Sequence, residues 1–402
     1  MHLGSLLEKL TNRRLYFDYN ATSPLSPAVK RWLSEAEFLC ANPSAIHLSG
    51  KKAAAVLRED SEKILKVFGL SESHKVFFHS GASEGINTIV KGMSHSLDLK
   101  GEKLNFFYSS IDHAAVLELK PFLDFYGHNA HQCSVDKDGH LDLNFLESKV
   151  KSCLPGTVLI NLTYVHNEIG TVFPLEKLIK LKSETGAFIH VDCVQSPGKV
   201  HDWDCLPSGI EFYTFSSHKF GALKGIGFTF VNKTSPTFQP LINGGGQQLG
   251  FRSGTINTMG IRSTLLALGD LKERYDYSEA KAGINFLRER IREKLEGCGQ
   301  IIADNSRYKN TNTIFFTVEG KDSNSLLMAF DLAGMDVGVG SACSSGISKP
   351  NNVLLNLGHT KEEALSGLRL SFEHELTTSK AALYWGKIEA VLDKVLLSSK
   401  SI

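Results

Sequence analysis

No apolar run in the sequence is long enough to cross a bilayer, which argues against a helical membrane protein. No CxxC pair occurs. The seven cysteines (Cys40, Cys133, Cys153, Cys193, Cys205, Cys298 and Cys343) are odd in number and widely spaced. That pattern argues against a disulfide framework or a zinc ribbon. It fits a reducing cytoplasm, with most thiols serving as small buried hydrophobes. No Lys/Arg block or basic stripe appears and the formal net charge is +1, so nucleic acid is not an expected partner. The opening MHLGSLLEKLTNRR lacks a continuous apolar stretch and a small-residue cleavage site, so it reads as a short amphipathic helix rather than a signal peptide. Neither a Walker GK[ST] ending nor GxGxxG is present, which leaves nucleotide readings little support.

What is present is a chain of 402 residues with an ordinary globular composition. Short β-branched and aromatic runs alternate with helical patterns. Strands are expected at Lys75–His79, Leu104–Tyr108, Thr157–Tyr164, Ala187–Asp192, Glu211–Phe215 and Gly227–Val231. Helices are expected at Pro27–Leu39, Gly50–Phe68, Ser83–Met93 and Pro174–Thr185. The alternation predicts an α/β domain, a mainly parallel sheet sandwiched by helices. After about Gly260 the pattern changes to one long charged helix reaching Glu296, then a strand at Thr313–Val318, a helix at Ser323–Leu332 and a capping box from Thr360 to Glu363. We therefore expect a large domain over 15–262. A smaller α+β domain would span 263–402, with 1–14 packing on it.

Several stretches carry chemistry-bearing residues, and each has a plainer reading. In FYTFSSHKFGALKGIG, Lys219 follows a strand and precedes glycines, as a Schiff-base lysine would, with Ser216 and His218 near a phosphate; a solvated loop lysine fits as well. Asp192, in FIHVDCVQSPGK, ends an apolar strand, where open α/β sheets bind ligands; it could face a protonated pyridine nitrogen, order a turn, or join His190 and Cys193 on a metal. FHSGASEGIN reads as strand, turn and helix start, with Ala82 and a Ser83 N-cap forming a phosphate cradle or a simple cap. His113 could stack on a flat ring or cap a helix. Asn167 could bind a ligand oxygen or order its turn. GGGQQLGFRSGT could close over an anion through its arginine or remain a surface loop. Cys343 sits in a small-residue loop, GVGSACSSG, where a thiol would be accessible. Arg369 in LRLSF could take a carboxylate with two hydrogen bonds or form a surface ion pair.

In this order, FDYNATSPL, HNEIGT, HVDCVQSPGK, SSHKFG, GGGQ with RSGT, and GSACSSG resemble the cysteine desulfurases of the class V aminotransferase family, over about Phe17 to Phe372. The cysteine loop is similar to that of the subgroup serving iron–sulfur cluster assembly. The resemblance implies the fold of type I pyridoxal 5'-phosphate (PLP) transferases, and it implies roles. Lys219 would hold PLP as a Schiff base and move protons. Asp192 would pair with the ring nitrogen and Gln195 with the ring hydroxyl. His113 would stack on the ring. Ala82, Ser83, Ser216 and His218 would bind the phosphate, joined by Thr255 from the neighbouring subunit of a homodimer. Asn167 and Arg369 would fix the substrate carboxylate. Cys343 would take sulfur from L-cysteine as a persulfide and pass it to an acceptor, such as an iron–sulfur scaffold or a sulfur-carrier protein.

The sequence departs from the family pattern at Ser83 for threonine, Ala222-Leu223 for Gly-Pro, Gln248-Leu249 for an acidic–basic pair, and DHA for EHP around His113. No departure removes a catalytic group. Selenocysteine lyase and cysteine sulfinate desulfinase are the rival activities on the same fold. A non-catalytic scaffold and a metal hydrolase are rivals of other classes, and the retention of Lys219 and Cys343 argues against the scaffold.

Overall fold

The computed structural model describes residues 14–35, 40–340 and 349–397. Cys343 therefore lies outside the described residues, as does most of the expected N-terminal helix. In chain order the strands are β1 (Leu15–Tyr16), β2 (His74–His79), β3 (Leu104–Ser109), β4 (Asn129–Cys133), β5 (Thr157–Thr163), β6 (Phe188–Asp192), β7 (Phe212–Ser216), β8 (Gly227–Asn232), β9 (Gly299–Ile301), β10 (Thr313–Val318), β11 (Met335–Asp336) and β12 (Leu368–Ser371).

Apolar runs such as Val158–Leu162 are buried on both faces, the mark of a sheet covered by helices. Seven strands form that sheet in the order β2-β8-β7-β6-β5-β3-β4. The run from β7 to β4 is parallel, whereas β8 is antiparallel to both β2 and β7. One face packs Phe68, Tyr213, Phe215 and Phe230 into a core. The other packs Phe77, Phe106 and Phe212 against Ile86, Ile89 and Val90 of the helix Ala82–Asp98. A smaller antiparallel sheet, β12-β10-β9, has its own core of Leu287, Ile291, Phe316, Leu368 and Ile388. Leu15 and Phe17 pack into this second core, and β1 pairs with β11.

Two expected elements differ. The long charged helix is two helices, Thr258–Arg274 and Tyr277–Leu295. Asp276 sits between them in an extended conformation, and its carboxylate accepts from the N–H groups of Ser278 and Glu279 as an N-cap. The helix expected to begin at Ser83 instead has Gly81 as its N-cap residue, with Ser83 inside the first turn. Asn129–Cys133, polar at most positions, was not expected as a strand; it holds the sheet edge beside β3.

Candidate active site

The C-terminal ends of β3, β5, β6 and β7 open onto a cavity of about 660 Å³, closed on its far side by Arg369 of β12. Ligand sites in open α/β sheets lie at such strand ends. Ala82, Ser83, His113, Asn167, Asp192, Gln195, Ser216, His218, Lys219 and Arg369 all line it.

Lys219 stands in a short 3-10 turn, Ser217–Phe220, that follows β7. Gly221 ends the turn at φ +95, and a Cβ there would meet the Ser26 nitrogen at 3.0 Å, so glycine is required. The Lys219 Nζ donates to the carbonyls of Asn20 (2.7 Å) and Ala21 (2.8 Å). Burial and the positive Arg369 lower its pKa to about 8, against a smaller opposite pull from Asp18 and Asp192. An amine with so lowered a proton affinity releases its proton more readily than an ordinary lysine, and its neutral form is a nucleophile toward carbonyl groups.

Asp192, at the end of β6, accepts from the Val194 N–H (2.9 Å). Burial pushes its carboxyl up to about 6. A buried carboxylate without a bonded cation is a seat for one. His113 caps a short helix, its Nδ1 accepting from the Ala115 N–H at 3.1 Å. That bond leaves the proton on Nε2, while burial and the nearby Lys219 keep the ring neutral. His113 lines the cavity. Opposite it, Ala82 and Ser83 begin a 17-residue helix whose first N–H groups have no helical acceptor. Ser216 stands beside them, 3.8 Å from where a Cβ on Gly81 would lie. His218 is held by Thr22 through a 3.0 Å bond from Nδ1 to Oγ1 and is kept neutral by burial.

Arg369 donates to Asp18 (2.6 Å) and to the Asn167 carbonyl (3.1 Å). Its Nε is buried and unbonded among the described residues. The ion pair with Asp18 is internal and not the surface pair that one reading of LRLSF allowed.

Not every expected residue joins the cavity. Thr255 lines a neighbouring crevice with Phe78, Ser80 and Gly225. The arginine of GGGQQLGFRSGT, Arg252, is paired with Glu84 at 2.9 Å and does not line the cavity. His190, the rival metal ligand, has both ring nitrogens engaged, with Asn161 and Thr214. Cys343 lies outside the described residues, but Gly340 before its segment and Asn352 after it both line the cavity.

Asn20 is the residue the sequence reading passed over. Its carbonyl accepts from Lys219 and from Gln195 Nε2 (3.0 Å), and its amide donates to the Asn167 carbonyl (2.9 Å) and Thr313 (2.9 Å). Its Oδ1 accepts from the fully buried Lys199 (3.1 Å) and from Asn312 (3.0 Å). Lys199 also donates to the Gln195 side-chain oxygen Oε1, which ties the Gln195 side chain down. Asn20 did stand inside the FDYNATSPL motif, the one signal that marked it.

The donor set fits PLP. It offers an amine of lowered proton affinity, a buried anion for a protonated ring nitrogen, a neutral imidazole on the cavity wall, and a helix start with hydroxyls for a phosphate.

The aminotransferase class-V family model matches residues 15–381. Cysteine desulfurase IscS of Dictyoglomus turgidum is 32% identical over 399 residues, covering 95% of each chain. A NifS-like protein from Rickettsia africae matches the structure with a TM-score of 0.79 at 25% identity, over 95% of this chain and 100% of that one. A structure of SspA in complex with cysteine matches with a TM-score of 0.72 at 28% identity, over 89% of this chain and 98% of that one.

Proposed function

This chain belongs to the class-V aminotransferase family, and from that premise we propose that it is a PLP-dependent cysteine desulfurase, converting L-cysteine to L-alanine and leaving the sulfur on Cys343 as a persulfide. One observation carries the reading. Lys219, with its lowered proton affinity, and the buried Asp192 line one cavity, and so do Gly340 and Asn352, which stand on either side of Cys343 in the sequence.

Bound PLP supplies an electron sink that loosens bonds at the α-carbon of an amino acid. The chain's own groups do the rest. Lys219 would hold the cofactor, and its amine would carry a proton to and from the α-carbon. Asp192 would keep the ring nitrogen protonated. Gln195, fixed by Asn20 and Lys199, would bond the ring hydroxyl. Ala82, Ser83, Ser216 and His218 would hold the phosphate. His113 would lie against the ring and could lend the proton of Nε2. Asn167 and Arg369, which line the same cavity, would orient the substrate carboxylate. The Cys343 thiolate attacks the substrate sulfur: the S–S bond forms, the Cβ–S bond breaks, and the carbon gains a proton, giving alanine.

A homodimer completes the site, with Thr255 of each chain serving the other's phosphate. Exposed Leu241, Ile242 and Leu249 near Thr255 in sequence supply apolar surface for that contact. The persulfide passes to an acceptor protein, an iron–sulfur scaffold or a sulfur carrier, in the reducing cytoplasm. The test is mass spectrometry after incubation with L-cysteine. One added sulfur atom is expected on the Cys343 peptide, with alanine released, and no adduct in Cys343→Ala. An adduct retained in that variant, or turnover confined to selenocysteine or cysteine sulfinate, contradicts the reading.

A further inference from the structure

Below the cavity floor a row of buried polar side chains crosses the sheet, each from a different element. It runs from His79 of β2 through Thr229 of β8, Thr214 of β7, His190 of β6 and Asn161 of β5 to Asp112, which follows β3. The links are His79 Nε2 to Thr229 Oγ1 at 2.9 Å, Thr229 to Thr214 at 2.9 Å, Thr214 Oγ1 to His190 Nε2 at 2.8 Å, His190 Nδ1 to Asn161 Oδ1 at 2.6 Å, and Asn161 Nδ2 to Asp112 at 3.0 Å.

The row has a direction, and Asp112 sets it. Its carboxylate also accepts from the Ser109 N–H (3.0 Å) and the Thr163 hydroxyl (2.7 Å), so three donors converge on it. Asn161 donates its amide there and turns its carbonyl oxygen to His190. His190 Nδ1 must then carry a proton. Burial, with His79 nearby, lowers the pKa of His190 to about 3, so the ring is neutral and Nε2 accepts from Thr214. The Thr214 oxygen accepts from Thr229, which accepts in turn from His79 Nε2. His79 is also kept neutral by burial, against the pull of nearby Glu84. Every donor therefore points toward Asp112.

An apolar row would fill these positions without the cost of burying polar groups. Asp112 lines the cavity and directly precedes His113; burial, with a smaller push from the Asp192 charge, raises its carboxyl to about 6 against the three donors, so it is charged above that pH and its charge and that of Asp192 repel. We propose that the row is a one-way hydrogen-bond relay that makes Asp112 a charged positioning residue, a second carboxylate reinforcing the affinity of Asp192 for a proton or a cationic ring. Only this last consequence rests on the PLP reading; the direction of the row does not.

The test is nitrogen NMR of histidine-labelled full-length protein, with its cofactor and after cofactor removal. His190 is expected as the neutral Nδ1–H form, the rarer tautomer in water; finding it as Nε2–H overturns the relay. Asp112→Asn keeps an oxygen toward Asn161 and Ser109 but removes the charge. In that variant His190 should keep its tautomer, while the titration of Asp192, read by carboxyl-carbon NMR in the cofactor-free protein, moves below about 6. An unchanged Asp192 midpoint overturns the positioning role. Asp112→Ala removes the acceptor, and His190 should then show Nε2–H as well. If that variant does not fold, the other two measurements still decide. Protein with His190 as Nδ1–H that captures no PLP would sink the proposed function and leave the relay standing.

Discussion

Burial and the Arg369 guanidinium act on Lys219 in the same direction: both disfavour its ammonium, and together they bring its pKa down to about 8. Only the neutral amine attacks an aldehyde, so the rate at which cofactor-free protein captures PLP should rise as pH increases through about 8. Growth of the bound cofactor's visible absorbance measures it, and a rate that stays flat through that range would contradict the account. The order strand, lysine, glycine turn in SSHKFG was legible because the three are neighbours in sequence, although the stretch alone fitted a solvated loop lysine too. The setting of Lys219 was not. Its oxygen partners come from Asn20 and Ala21, and Asn20 is fixed by Lys199, Asn312 and Thr313, all remote along the chain.

Elements with strong local signals were read from sequence to within a residue or two. The strand over Leu104–Ser109 and the helices ending at Thr185 and Leu332 are examples, because periodicity, caps and glycine stops are local. The break at Tyr275–Asp276 was missed because both flanking segments keep a helical pattern and no glycine or proline marks the gap. Asp276 supplies the stop in their place. Asp276→Ala should cost about 1 kcal/mol of stability, read by chemical denaturation, and leave sulfur transfer intact. A change below a few tenths of that value would show that packing alone holds the break. Gln248, one of the departures from the family pattern, has a structural use: its side-chain amide bonds both backbone groups of Phe78, on the edge strand β2. That pairing covers part of an edge that would otherwise present free donors and acceptors.

At the scale of the molecule, the larger sheet brings Asp192, Lys219 and the helix start at Ala82 and Ser83 to one cavity, and the smaller sheet adds Arg369. We propose that the chain divides between these two cores after the helix Thr258–Arg274, whose Ala267, Leu268 and Leu271 pack in the larger one, with β1 assigned to the smaller body. Order along the chain disclosed most of the site, but not which residues face one another across it. The burial of Asp192 has a global consequence. Its carboxyl titrates near 6 when folded and near 4 when unfolded, so the folded chain binds the proton more tightly. Cofactor-free wild type should therefore lose stability relative to Asp192→Asn as pH rises from about 4 through about 6, and PLP binding should reduce the loss. Denaturation midpoints of the two proteins across that range check it, and a wild type that gains on the variant would refute it. The account as a whole turns on one covalent attachment, so the most direct measurement is borohydride reduction of cofactor-loaded protein followed by peptide mapping. It predicts a stable pyridoxyl group on Lys219; a label on another lysine, or none, would contradict it.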